Sequence, residues 1–119
     1  MYLKSYKELE VWKKSILLVK EVYDLSNKLP KSEIYGLVSQ IRRSAVSVPS
    51  NIAEGYKRHG LGEYLQFLSV ADASAAELET QIILIKSIYP EVDVLKAGNL
   101  LTEIQKMLFV LIKKLKNKR

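Results

Sequence analysis

The chain has 119 residues, no cysteine, 48% hydrophobic residues and a formal net charge of +6 with a pI near 9.5. This length suits one domain with a real core, the missing cysteines exclude disulfides and thiolate metal sites, and the hydrophobic content argues against a disordered chain. The longest apolar runs, Ile82–Ile85 and Leu108–Ile112, fall far short of the ~20 residues that span a bilayer, and no apolar leader follows Met1, so a cytoplasmic protein without membrane association is expected.

Helical periodicity recurs four times, and no segment alternates as a strand does. The first predicted helix covers about 5–28. Ser5 and Glu8 have the spacing of a capping box, and Leu9, Trp12, Ile16, Val19 and Tyr23 repeat at steps of three and four, with Leu17 and Leu18 added to the core set. Leu29-Pro30-Lys31-Ser32 breaks it. Ser32 as N-cap and Glu33 in the first turn predict a second helix over about 33–58, whose seam is Val38, Ile41, Ala45, Val48 and Ile52. Pro49 lies inside it. The seam keeps its phase across the proline, so a kink is expected instead of a break.

His59-Gly60-Leu61-Gly62 makes the next turn, with Gly60 as N-cap. The third helix, about 61–89, carries Leu65 or Tyr64, then Leu68, Ala71, Ala75, Leu78, Ile82 and Ile85, and Pro90 ends it. Asp93 caps the fourth, about 93–115, with Ala97, Leu101, Ile104, Leu108, Leu111 and Leu115; the basic tail 113–119 follows. Rods of roughly 33 to 42 Å joined by short turns must run up-down-up-down. Seams near a 3.5-residue period predict left-handed crossings of about 20°. The fold class is therefore all-α, an antiparallel four-helix bundle.

The second and third helices are expected to lie very close, because Ala71 to Ala76 offers small side chains over more than a turn. A hairpin turning about residue 60 places Ile52 by Leu68 and Val48 by Asp72. It also sets the pair Arg42 and Arg43 against Glu77 and Glu79, which predicts at least one Arg–Glu bridge between these helices.

A second seam runs down the second helix: Arg43, Ser47, Asn51, Glu54 and Arg58, spaced four, four, three and four apart. Short amides and hydroxyls between arginines suit specific hydrogen bonding better than bulk solvation. Three uses stay open: a solvated face, a contact between subunits, or a ligand or nucleic-acid groove. Glu54 opposes a polyanion and favours the subunit contact. Leu100, Met107 and Phe109 add apolar surface beyond the seam of the fourth helix, which predicts a homo-oligomer.

Catalytic chemistry finds no support. The lone histidine, His59, sits in a glycine-rich turn, no glutamate has a histidine three residues on as di-iron bundles require, and no phosphate loop of known type occurs. No cofactor or metal is expected, and Asp72, Glu77 and Glu79 are assigned to partnering basic residues. The charge is the remaining signal. Lys7, Lys13, Lys14, Lys57 and Arg58, together with Lys113, Lys114, Lys116, Lys118 and Arg119, are expected to form a basic rim suited to nucleic-acid phosphates. Trp12 falls on a seam and is read as core.

Three segments carry a resemblance: E-L-E-V-W-K-K-S in the first helix, E-I-Y-G-L-V-S-Q-I-R-R-S-A-V-S-V-P-S-N-I-A-E-G in the second, and A-E-L-E-T-Q in the third. The chain resembles the bacterial four-helix-bundle proteins encoded by intervening sequences in 23S rRNA genes, a family that includes the accessory variability determinant proteins of diversity-generating retroelements. Ala73-Ser74 stands where the family often has Gly-Ser, and Gly60 where a Ser or Thr cap is usual. The resemblance implies a ring-like homopentamer. From the retroelement relatives it further implies nucleic-acid binding and a protein partner, a reverse transcriptase.

Overall fold

A computed structural model describes residues 5–118. Four helices make up the molecule: α1 (Glu10–Ser26), α2 (Leu37–Tyr56), α3 (Leu61–Ile88) and α4 (Leu95–Lys116), with single 3-10 turns at Tyr6–Glu8 and Lys31–Glu33 and no strand among the described residues. Each helix packs on two neighbours, α1 on α2 and α4, and α3 on α2 and α4, while the backbones of the diagonal pairs stay apart. This is the square of an up-down-up-down bundle. Its 45 Å long axis matches the ~42 Å that the 28 residues of α3 span at 1.5 Å each.

The seams predicted for α2 and α3 are the core, all seven α3 positions from Leu65 to Ile85 and all five α2 positions from Val38 to Ile52 being buried. In α4 Ala97, Leu101, Ile104 and Leu108 are buried, and Leu111 and Leu115 pack at its margin. Leu18, Ile41, Ile52, Leu68, Leu78, Ile85, Leu101, Ile104 and Leu108 are fully buried, and truncating any such Leu or Ile to Ala costs about 2–5 kcal/mol. The predicted α1 seam is displaced. Val11, Leu18, Val22 and Leu25 face the core, with Ser15 between them, whereas Leu9, Trp12 and Val19 line its edge, and Tyr23 and Leu17 are exposed. Ser15 is tolerated at zero exposure because its hydroxyl donates to the Trp12 carbonyl at 2.7 Å.

Two predicted helix starts also move. Ser5 accepts from the Lys7 N–H at 3.1 Å and caps the separate 3-10 turn, so the capping box does not form and α1 begins at Glu10. Ser32 lies in the second 3-10 turn and α2 begins only after Gly36. There the Glu33 carboxylate accepts from the Leu37 N–H at 3.4 Å, while its other oxygen accepts from the Tyr89 hydroxyl at 2.5 Å. A Cβ on Gly36 would come within 2.9 Å of that carboxylate. α2 continues unbroken through Pro49, which is buried. Gly60 caps α3, and Asp93 accepts from the Leu95 N–H at 3.0 Å ahead of α4.

α2 and α3 share the most extensive pairing in the molecule. Ser47 and Ser74 hydroxyls meet at 2.8 Å, which sets the hairpin register close to the expected one. Near its turn Gly55 permits a close approach: a Cβ there would stand 2.8 Å from Phe67 Cβ and 3.2 Å from the Tyr64 carbonyl.

Candidate functional site

The polar stripe of α2 is a ladder of bonds one helical turn apart. Arg43 donates to Ser39 Oγ at 3.0 Å, Asn51 Nδ2 donates to Ser47 Oγ at 2.9 Å and to the Ser47 carbonyl at 2.8 Å, and Arg58 pairs with Glu54 at 3.3 Å. Ser47 also bonds Ser74 on α3, so the middle of the stripe is fixed to the neighbouring helix while Arg43 and Glu54 stay exposed.

The expected Arg–Glu bridge between α2 and α3 is not formed. Arg42 and Arg43 are adjacent and so point about 100° apart around the helix. Arg42 turns to α1: its Nε donates to Ser26 Oγ at 2.9 Å, its Nη2 to Asn27 Oδ1 at 2.7 Å, and its guanidinium lies 4.4 Å from the Tyr23 ring centre. Arg43 and Glu77 do line one open groove of about 550 Å³ with Gln40, Ser44, Ser47 and Gln81, yet no ion pair joins Arg42 or Arg43 to Glu77 or Glu79 among the described residues. An exposed pair gains little in water and costs side-chain freedom, and Arg43 is already bonded to Ser39.

Gln81 is the residue of this groove that periodicity alone passes over. It is 6% exposed and its Oε1 has no hydrogen-bond partner. The available signal was a polar residue next to the apolar seam positions Leu78 and Ile82.

The antiparallel topology brings the start of α1, the α2–α3 turn and the end of α4 to one end of the bundle. Dividing each helix at its midpoint, the half made of residues 5–18, 47–74 and 106–118 holds ten Lys or Arg and five Asp or Glu; the other half, 19–46 and 75–105, holds seven and eight. Three of the predicted phosphate ligands have counter-charges: Lys13 with Glu10 at 3.3 Å, Lys14 with Glu103 at 2.5 Å, and Arg58 with Glu54 and with Glu63 at 3.7 Å. Lys7, Lys57, Lys113, Lys114, Lys116 and Lys118 are exposed and form no ion pair among the described residues. Arg119 lies outside those residues.

Aromatic rings close this end. Tyr6 meets Trp12 edge-on at 5.4 Å and Tyr56 at 6.5 Å, Tyr56 meets Tyr64 at 6.1 Å, and the Arg58 guanidinium lies 4.6 Å over Phe67. Burial first, then the neighbouring Tyr56 phenol, push Tyr64 up to about 12, so it stays neutral. At the opposite end Tyr89 is held above its ordinary value by its bond to the Glu33 carboxylate first, then by burial. No cluster of three or more His, Asp or Glu suited to a metal occurs among the described residues, and no described helix is long and apolar enough to cross a membrane.

Four antiparallel helices around a single apolar core, with a surface of bonded polar groups and uneven charge, place the molecule in the class of up-down four-helix-bundle proteins. Within that class the chain belongs to the 23S rRNA-intervening sequence protein family, whose model matches residues 7–110. A crystal structure of a protein of unknown function from the S23 ribosomal protein family of Bacteroides thetaiotaomicron is similar, with a TM-score of 0.79 at 25% identity over 87% of this chain and 98% of that one. No curated protein matches the chain.

Proposed function

We propose that this protein is a non-catalytic, oligomeric helical bundle that binds nucleic acid, RNA foremost, through the lysines at one end of the bundle. One observation supports the reading: six lysines from three separate segments, Lys7, Lys57, Lys113, Lys114, Lys116 and Lys118, gather at that end without ion pairs among the described residues, while the other half is balanced in charge. Flexible ammonium groups on exposed helix ends suit phosphates and carry no base information. Six such contacts correspond to a slope of about −4 in log affinity against log salt for single strands and about −5 for duplex DNA. Titration of labelled structured RNA between 50 and 300 mM salt is the test. A steep linear loss is expected. Absence of binding at every salt would overturn the reading in favour of a scaffold that docks on a protein, such as a reverse transcriptase.

The oligomer is supported by apolar surface that one copy leaves wet. Ile83, Leu84 and Ile88 on α3 and Val110 on α4 are between 43% and 63% exposed. The polar stripe Arg43, Ser47, Asn51, Glu54 and Arg58 is suited to fix partner and register in such an assembly, and the Gln81 carbonyl in the adjoining groove is an acceptor waiting for a donor. A five-membered ring is the state the family resemblance implies. Light scattering at micromolar concentration reads the subunit number, and a mass of 13.6 kDa would remove the oligomer.

A further inference from the structure

Phe109, the aromatic residue of α4, is 67% exposed, and it is not isolated. Phe109, Ile112, Lys113 and Lys116 recur at steps of three, one and three, which puts them on one face of the helix. With Asn117 and with Asp72 of α3 they line an open groove of about 370 Å³ between α3 and α4, at the basic end. Ile112 is half-buried and forms an apolar floor; Phe109 stands free beside it; both lysines are exposed and without ion pairs among the described residues. A bare aromatic face flanked by cations is the chemistry of a stacking platform for an unpaired base. The ring cluster nearby is different: Tyr6, Trp12, Tyr56 and Tyr64 are half-buried and engaged with one another edge to face, so their faces are not on offer in the same way.

We propose that the α3–α4 groove takes one unpaired nucleotide of a single strand or loop, with Phe109 stacking on the base and Lys113 and Lys116 holding the flanking phosphates. The site rests on the nucleic-acid reading above and adds to it a preference for unpaired over duplex strands. Asp72 sets the orientation: a carboxylate repels phosphate but accepts from base N–H groups, so it belongs at the base edge, and Asn117 supplies a neutral donor and acceptor beside it. Charge complementarity selects this occupant over a purely apolar one, since the rim is lysine on the α4 side.

The test uses the full chain and two fluorescein-labelled probes at equal length, an unstructured RNA strand and its duplex, in 100 mM salt. The single strand is expected to bind more tightly. Phe109→Ala weakens it by roughly tenfold, leaves the salt slope and the duplex affinity unchanged, and Phe109→Trp restores binding. A 2-aminopurine base in the strand is quenched on binding by the native chain and not by Phe109→Ala. Lys113→Ala with Lys116→Ala instead lowers the salt slope by about 1.4. If both probes bind and Phe109→Ala changes neither affinity nor quenching, the stacking site is overturned while the nucleic-acid reading stands. A Phe109→Ala change in subunit number with unaltered strand affinity also overturns it, making Phe109 a contact between copies. If no probe binds at any salt, both fall. Because Phe109 is exposed, melting temperature serves only to verify that the variants are folded.

Discussion

The two ends of the bundle are built from the same four helices and use their polar groups differently. At the end holding the α1–α2 connection, side chains are spent on the protein itself: Arg42 ties α2 to Ser26 and Asn27, Glu33 is bonded by Tyr89 and caps α2, Lys86 donates to the Pro90 carbonyl, and Lys96 pairs with Glu21. Leu29 and Val92 are buried beneath these ties. At the other end the chain turns tightly through residues 57–60, aromatic rings close the core, and Lys7, Lys57, Lys113, Lys114, Lys116 and Lys118 extend outward without ion pairs among the described residues. The two ends thus differ in net charge, with ten Lys or Arg against five Asp or Glu in one half and seven against eight in the other.

The largest effect that tests this division is charge reversal. Replacing Lys113, Lys114, Lys116 and Lys118 by Glu is expected to lower RNA affinity by on the order of a hundredfold or more at 100 mM salt. Replacing Lys20, Lys28 and Lys31, exposed at the far half, is expected to change it less than about threefold by the same binding assay. Equal losses would erase the distinction between the ends.

Packing offers the next contrast. Gly55→Ala forces a methyl against Phe67 Cβ and the Tyr64 carbonyl, neither of which can retreat cheaply, and is expected to destabilise the fold by about 1–3 kcal/mol in urea denaturation. Gly98→Ala meets nothing within 4 Å and is expected to stabilise α4 by about 1 kcal/mol. The arginine pair divides in the same manner. Arg42→Ala removes two bonds and a ring contact and is expected to cost about 2 kcal/mol, whereas Arg43→Ala removes one exposed bond and stays within about 0.5 kcal/mol, both read from denaturation midpoints.

The smallest effect is alkaline. Tyr64 is raised in the folded state above the value near 10 it takes when unfolded, so its contribution to stability is complete below about pH 10 and disappears as pH climbs toward 12. Tyr89, raised at the opposite end, acts in the same direction. Denaturation at pH 9 and pH 11.5 should show a loss of stability that is smaller in Tyr64→Phe. An unchanged loss would mean that the aromatic end carries none of it.

How much of this was legible varies by element. The seams of α2, α3 and α4 keep a steady three-and-four spacing, and periodicity reads them correctly even though α3 and α4 carry further apolar residues off the seam. α1 carries two adjacent stripes, and the true one contains Ser15, so counting apolar positions favours the wrong neighbour; a bond from the hydroxyl to the Trp12 carbonyl of the same helix makes a buried serine acceptable there. Ser5 and Ser32 look like helix caps because capping is a local pattern; Ser5 does cap a turn, but of 3-10 type, and Ser32 lies in the middle of another. Arg42 and Arg43 are equivalent by composition and differ only in the flank they face. Gln81 and Phe109 lie in grooves that exist only once two helices are side by side.

The sequence by itself determined the number of helices, the faces of α2, α3 and α4 that pack and the α2–α3 register, because these follow from short-range periodicity, Gly and Pro punctuation and the small residues from Ala71 to Ala76. The tertiary structure alone decided which lysines keep their charge uncompensated, which arginine reaches α1 and where a bare ring borders a groove. Those are contacts between residues far apart in the chain, and local pattern does not encode the partner that packing brings within 3 or 4 Å.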